Sequence, residues 1–291
     1  MKYIVKAQDQ GMTLEDLLKE RLHISNRLYQ RLAGHSGITV EAQTDSGSGL
    51  GMGDIITIRF DYEKNTYEGQ PGPLEIVYED EDLLVINKDP YVVVHPTRNI
   101  LEDTLINHLS YYLYQKKDFS KLRFVSRLDR DTSGAVLVAK NPWMHHRLST
   151  LIPGETLVKE YTALVHGSFK KTRGLIDLPI GPLEDGIHHG VTSHGRDART
   201  GFEVIEDFGE FTLLHLRLYT GRTHQIRVHL AHIGHPVVGD TLYQKASGLI
   251  QRQFLHASRL DFVHPVTGAW LKLEAPLKAD LKRVLETLKG E

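Results

Sequence analysis

The 291-residue chain has no cysteine. That absence removes disulfide scaffolds, thiolate-ligated zinc, iron–sulfur clusters and thiol nucleophiles together. No run of 18 apolar residues occurs, so no membrane span is expected. The first residues, Met1-Lys2-Tyr3-Ile4-Val5-Lys6-Ala7-Gln8-Asp9, lack the apolar core of a secretory leader, and a cytoplasmic protein is expected. Internal repeats and low-complexity tracts are missing as well. Hydrophobic residues make up 40% and charged residues 25%, ordinary globular values that exclude wholesale disorder and fibrous repeats. A chain of this length holds one large domain, or a small domain plus a larger one.

Net charge is nearly absent too: 35 Lys/Arg against 37 Asp/Glu give −2. That balance alone argues against a nucleic-acid-binding protein. The average hides a pattern, however. Residues 61–114 carry 3 Lys/Arg and 11 Asp/Glu, whereas 115–173 carry 12 and 5. Residues 174–221 return to 3 against 8, and 222–259 to 5 against 1, with His224, His229, His232, His235 and His256 added. Two basic blocks meeting in space would make a positive groove on a nearly neutral protein. Scattered solvated charges are the plainer reading.

Local patterns predict an α+β fold. Thr13 caps an apolar-periodic helix through Leu22, and Ser25 caps a second that stops at Gly34. Strands are expected at Ile38–Val40 and Ile55–Ile58, around a flexible Ser46-Gly47-Ser48-Gly49 stretch. Residues 1–60 therefore read as a small domain. Residues 61–73, ending Gln70-Pro71-Gly72-Pro73, read as a linker, and 74–291 as the main domain. There, strands are predicted at Leu74–Tyr78, Leu83–Lys88, Ala135–Ala139, Tyr161–Val165 and Phe211–Leu218, with Val92–Val94 a further apolar run. Helices are predicted at Leu101–Gln115 (capped by Asp103), Gln225–Ile233 and Ala279–Lys289. Strands with irregularly placed helices imply a largely antiparallel sheet, not a βαβ repeat.

Four segments could carry chemistry. Ser126-Arg127-Leu128-Asp129-Arg130-Asp131-Thr132-Ser133-Gly134 concentrates acids, arginines and hydroxyls between two expected strands. A neighbouring guanidinium keeps an aspartate ionised, as a carboxylate nucleophile requires. A turn in which Asp131 and Thr132 merely bond backbone would explain the same residues. Gly221-Arg222-Thr223-His224-Gln225-Ile226-Arg227-Val228-His229-Leu230 runs from a strand end into a helix, where an arginine can reach back to a carboxylate. Its histidines lack interleaved carboxylates, so phosphate-facing or capping roles are preferred to a metal site. Lys88, at a strand exit before Asp89-Pro90 and His95-Pro96, could touch a phosphate. Tyr161, inside a strand, reads first as packing.

Taken in order, these segments, with Asn87-Lys88, Lys159-Glu160-Tyr161-Thr162-Ala163 and Gly234-His235-Pro236-Val237-Val238-Gly239-Asp240, resemble the RluA/RluD-type pseudouridine synthases. The resemblance spans roughly residues 75 to 275 and rests chiefly on Arg127-Leu128-Asp129 and Gly221–Arg227. It implies a mixed, mostly antiparallel sheet with a central catalytic cleft, and isomerisation of uridine to pseudouridine in structured RNA, usually ribosomal. On it, Asp129 matches the catalytic aspartate, Tyr161 the tyrosine against the target base, and Arg227 the arginine paired with the aspartate, with Arg222 near enough to compete. Arg127 matches the arginine that holds the flipped-out position open. Lys88, Arg130, Arg222 and His224 are the accompanying candidates for substrate contact. Ser126 stands where many members carry histidine, which puts in doubt a base-extrusion role for that side chain. Residues 1–60 more loosely resemble the small RNA-binding domain shared with a small-subunit ribosomal protein.

The implied chemistry is redox-neutral and calls for no metal or small-molecule cofactor. It needs a nucleophile that both adds and leaves, and a base that leaves its stack at a cost of a few kcal/mol. The basic blocks would flank Asp129 and Arg227 and bind RNA phosphates. Arg227, expected in a solvated cleft, should be removable without loss of the fold. A monomer acting on RNA, away from membranes, is expected. Two other readings compete. Asp129-Arg130-Asp131-Thr132 fits the Asp-x-Asp-x-Thr pattern of haloacid-dehalogenase-type phosphatases, but Arg127 interrupts the apolar strand those need. A catalytically silent RNA-binding or ribosome-assembly factor would keep the fold without the reaction.

Overall fold

The computed structural model describes residues 1–43, 49–60, 63–97, 100–151, 156–244 and 246–290. The expected flexible residues Ser46-Gly47-Ser48 and the linker's first residue Asp61 lie outside them. The N-terminal unit contains β1 (Lys2–Ile4), α1 (Leu14–Asp16), α2 (Asn26–Gly34), β2 (Ile38–Glu41) and β3 (Ile55–Ile58). Both expected caps form: Thr13 Oγ1 accepts from the Asp16 amide at 3.1 Å, and Ser25 Oγ from Leu28 at 3.3 Å. A π turn over Leu17–Arg21 prolongs α1. β1, which the pattern of the first residues did not announce, pairs with β3 to complete a three-stranded antiparallel sheet in the order β1-β3-β2.

The rest of the chain builds one ten-stranded sheet and a separate hairpin. In chain order come β4 (Ile76–Glu79), β5 (Leu83–Lys88), α3 (Leu105–Gln115), β6 (Arg123–Phe124), β7 (Ser133–Ala139) and α4 (Pro142–Leu151). β8 (Val158–His166), β9 (Arg173–Asp177), β10 (Ile180–Pro182), β11 (His189–Val191), β12 (Arg199–Asp207) and β13 (Phe211–Leu218) follow. Last are α5 (Gln225–His232), β14 (Leu255–Val263), β15 (Trp270–Glu274) and α6 (Ala279–Lys289). The large sheet runs β4-β5-β7-β14-β8-β13-β12-β9, with β6 on β7 and β15 on β14. Every pair is antiparallel except β7 with β14.

β5 and β7 are covered on both faces, which is why they read as unbroken apolar runs rather than alternating ones. Leu84, Ile86, Val136 and Val138 pack under α3, while Leu83, Val85, Ala135 and Leu137 face the main core with Trp143 and Met144 of α4. That core continues into the N-terminal unit through Leu17 and Leu18, and the Trp143 indole donates to the Leu22 carbonyl at 2.7 Å. α6 covers the far side with Leu281 and Val284 against Leu164 and Phe254.

β7 and β14 touch only at Ser133↔His256 and Gly134↔Ala257 before they diverge. Gly134 has φ +112°, and a Cβ there would fall 2.3 Å from the Ala257 carbonyl oxygen. Only glycine allows this approach, which fixes the loop ahead of Gly134 at the point where the sheet opens. Residues 63–73 are bound along α3: Gln70 N–H donates to the Asn107 carbonyl, Asn107 Nδ2 to that of Glu68, and Asn65 Nδ2 to Ser110 Oγ. α3 is capped by Thr104 in a reciprocal box with Asn107, not by Asp103, whose left-handed backbone (φ 56°) turns its carboxylate to His108 Nε2 at 2.7 Å.

Candidate active site

The loop between β6 and β7 delivers Asp129, and the first turn of α5 delivers Arg227. Arg227 Nη1 donates to Asp129 Oδ2 at 2.8 Å, across 98 residues of sequence. Asp129 Oδ1 has no hydrogen-bond partner among the described residues, and the carboxylate is 30% exposed. One oxygen is therefore held and the other is left without a partner among the described residues. Arg222, the competing arginine, instead donates from Nε to the Asp197 carbonyl at 2.8 Å.

Arg227 is not in a solvated cleft. It is 6% exposed, and its Nε and Nη2 grip both oxygens of fully buried Asp240 at 2.6 and 2.7 Å. Burial opposes its charge, but the hydrogen bonds and charges of Asp240 and Asp129 outweigh that and raise its pKa further, so it stays cationic. Asp240 also accepts from the Leu242 and Tyr243 amides. Removing Arg227 would leave a buried carboxylate without its cation, so the expectation that it can be removed without loss of the fold is corrected. Gly239 (φ +77°) enables the geometry, since a Cβ there would meet the Arg252 carbonyl oxygen at 2.1 Å.

Tyr161, on β8, is 8% exposed. Burial, reinforced by the negative charge of Asp129, drives its phenol pKa well above the ordinary value, so the hydroxyl keeps its proton. His224 enters α5 in a left-handed conformation (φ 54°). Its Nδ1 lies 2.9 Å from the Tyr243 hydroxyl, which accepts from the His189 amide, and its Nε2 lies 3.8 Å from Asp129 Oδ2. Burial lowers the His224 pKa against the pull of Asp129, which favours a neutral ring. The Tyr243 ring itself packs 5.1 Å from the Arg227 guanidinium carbon.

The other candidates separate into exposed and buried. Arg127 is exposed beside His95, and Arg130 is held by both oxygens of Asp131 at 2.7 and 3.0 Å. Lys88, read as a possible phosphate contact, is turned inward. It is 1% exposed and gives its three ammonium donors to the carbonyls of Asp89, Val92 and Arg130 at 2.7–2.9 Å. Burial lowers its pKa to about 7, against the pull of Asp131 and Asp129. Ser126 Oγ accepts from the Leu137 amide. His229 is fully buried between Thr200 Oγ1 and the Leu178 carbonyl, and His235 bonds the His166 carbonyl.

Sequence reasoning missed the support behind the loop. Arg252 Nη1 donates to the Asp131 carbonyl at 3.0 Å, while its Nε and Nη2 bind the Asp280 carboxylate of α6 at 2.6 and 3.0 Å. Gln253 Nε2 donates to Thr132 Oγ1. Ser133 Oγ meets His256 Nδ1 at 2.9 Å, and His256 Nε2 meets the Ala275 carbonyl at 3.0 Å. A carbonyl can only accept, so His256 carries its proton on Nε2 and accepts from Ser133 on Nδ1. Lys88 and Arg252 thus hold the carbonyls of the two residues after Asp129. The available signal was Arg252-Gln253, two long polar residues before an apolar strand.

Three comparisons bear on this site. A family profile described as RNA pseudouridylate synthase matches residues 82–232, which include Asp129, Tyr161 and Arg227. The uncharacterized RNA pseudouridine synthase YhcT of Bacillus subtilis is 35% identical over 294 residues, covering 99% of this chain and 97% of its own. Ribosomal large subunit pseudouridine synthase D of Haemophilus ducreyi is 35% identical over 292 residues, 95% of this chain and 84% of its own. Among solved structures, human RNA pseudouridylate synthase domain containing 1 has a TM-score of 0.57 at 27% identity, over 76% of this chain and 98% of that one.

Proposed function

The chain belongs to the RNA pseudouridylate synthase family, and from that membership we propose that it isomerises a uridine of large-subunit ribosomal RNA with Asp129 as the nucleophile. The observation that carries this reading is the half-held carboxylate: Arg227 binds one oxygen at 2.8 Å, the other is unpartnered among the described residues, and the side chain is partly exposed. A guanidinium pinned from behind by Asp240 orients the nucleophile through one oxygen.

The carboxylate adds to ring carbon 6 or to the anomeric carbon. The bond between nitrogen 1 and the anomeric carbon breaks, the ring turns, and carbon 5 bonds to the anomeric carbon. Loss of the carbon-5 proton and protonation of nitrogen 1 regenerate the uracil ring and the free carboxylate. Tyr161 lies against the extruded base. Stacking on an aromatic ring returns about 1–3 kcal/mol, comparable with the cost of extrusion. Its raised pKa leaves it a protonated phenol, poorly suited to take the carbon-5 proton as an anionic base. His224, its pKa lowered by burial and its Nε2 3.8 Å from Asp129, is the other polar ring at the nucleophile. Arg127, exposed two residues before Asp129, holds the flipped-out position open.

The test is Asp129→Asn assayed by proton release from carbon 5 of uridines in a large-subunit ribosomal RNA transcript. The expected rate loss is about 10³-fold or more with RNA binding retained. Undiminished release would overturn the assignment. The intact Asp129–Arg227–Asp240 chain gives no support to a silent RNA-binding factor.

A further inference from the structure

The first basic block of the sequence is not gathered around Asp129. Part of it lines a cavity of about 530 Å³ where the N-terminal sheet meets the β6 side of the large sheet. Arg59, just after β3, lines it from the N-terminal unit, while Lys64, bridged to Ser120, lines it beside Lys117 and Lys121, which lie between α3 and β6. All four are exposed, and none of their side chains has an ion-pair or hydrogen-bond partner among the described residues.

The acids of the same cavity are already engaged. Asp118 pairs with Lys140 at 3.6 Å, Glu63 with Arg123, and Glu81 with Lys2 at 3.9 Å. Four cations are left over. Between Lys117 and Lys121 the Phe119 ring is 56% exposed, backed by the Tyr114 ring at 5.7 Å. A large exposed aromatic face set among unpaired cations matches the two chemical features of an RNA strand, phosphate charge and base surface. A lone small anion would require convergent buried donors, whereas these four are all exposed. Arg123 of this cavity and Asp129 are six residues apart, at most ~22 Å of extended chain, a span one RNA can bridge.

We propose that this junction cavity is a second RNA-binding subsite, taking backbone phosphates on Arg59, Lys64, Lys117 and Lys121 and a base on Phe119. The N-terminal unit and the catalytic unit then hold the substrate jointly. The proposal rests on RNA as the substrate, and it is tested by binding alone, so that it and the isomerase assignment can fail separately.

The probe is an in vitro transcript of large-subunit ribosomal RNA titrated with the full chain across a range of salt concentrations. Combined Arg59→Gln, Lys64→Gln, Lys117→Gln and Lys121→Gln should raise Kd by about tenfold or more. It should also flatten the dependence of log affinity on log salt by about 0.7–0.9 for each phosphate that is no longer neutralised. Phe119→Ala should raise Kd with an unchanged salt slope, because stacking is not ionic. Lys282→Gln with Arg283→Gln, exposed on α6, is the control for net charge against Lys117→Gln with Lys121→Gln. Wild-type Kd and slope in the fourfold variant, or an equal loss in the α6 control, overturns the subsite. A transcript bound with these dependences but releasing no carbon-5 proton would sink the isomerase reading and leave the subsite standing.

Discussion

The two sides of the loop that carries Asp129 are built on opposite rules. Behind it, Lys88, Arg252, Gln253 and His256 are buried, and their polar groups meet carbonyls or hydroxyls of residues 130–133 or structural partners beyond. In front, among the described residues, Asp129 has one free oxygen, Arg127 a free guanidinium, and Tyr161 a hydroxyl with no hydrogen bond. The contrast teaches where rigidity and reactivity reside. A buried polar group left unpaired costs about 1–3 kcal/mol, so the rear must be complete for the fold to hold. A reactive group must keep an unused valence, so the front must stay incomplete. Arg227 belongs to both sides, with two hydrogen bonds to Asp240 behind and one to Asp129 ahead.

Arg227 is accordingly where the contrast breaks most severely. Arg227→Ala should lower the single-turnover rate by about 10²–10³-fold and also destabilise the fold by about 3–5 kcal/mol, since Asp240 is left charged and buried. Arg227→Met combined with Asp240→Leu separates the two sides: melting temperature should recover while the rate does not. Recovery of both would show that the arginine serves only the fold.

Asp280 tests whether the rear reaches as far as α6. Asp280→Asn removes the carboxylate that neutralises Arg252 and should cost about 1–3 kcal/mol, because Asp280 is partly exposed. Amide exchange at residues 130–133 should speed up, and Asp280→Glu should restore most of the protection. Unaltered exchange there would confine the Arg252–Asp280 pair to holding α6.

His256 gives the rear a pH signature. Burial, aided by the Arg252 and Lys278 charges and opposed by its bond to Ala275, lowers its pKa to about 4. The unfolded chain titrates near 6.5, so between those values the unfolded state binds the extra proton and stability falls as pH falls. The His256 share is about 2 kcal/mol at pH 5. Melting temperature should decline from pH 7 to 4.5 in the wild type and less steeply in His256→Gln. Equal slopes would remove His256 from the rear support.

The smallest effect is expected in front. Tyr161→Phe keeps the stacking ring and removes a hydroxyl that stays protonated, so the rate should fall by less than the 10²–10⁴-fold typical of a lost general base. A loss inside that range would make the phenol a proton-transfer group and overturn its role as a platform.

Legibility in the sequence followed the range of the forces involved. The caps at Thr13 and Ser25, the doubly covered β5 and β7, and α6 are local patterns, and they form as read. α4 went unread although Asn141-Pro142 is a helix start, and the Asn141 side chain does accept from the Met144 amide. The alternating β12 and the short β9–β11 carry too little apolar periodicity to announce themselves. The basic blocks were visible, but their placement was not: Lys116 and Lys140 pair with Glu79 of the acidic block, and Lys159 is buried.

By itself the sequence determined the chemical inventory. It set aside thiol chemistry through the missing cysteines, and through the family resemblance of its short ordered segments it singled out Asp129, Tyr161 and Arg227 as candidates. Only the tertiary structure decided the pairings: Arg227 rather than Arg222 on Asp129, Asp240 behind it, Lys88 turned inward, and Arg252 tied to α6. Spacing along a chain governs neighbours within a few residues. The choice between two arginines or two carboxylates is made by burial, where an unpaired charge is too costly to survive, and burial exists only once distant segments have met.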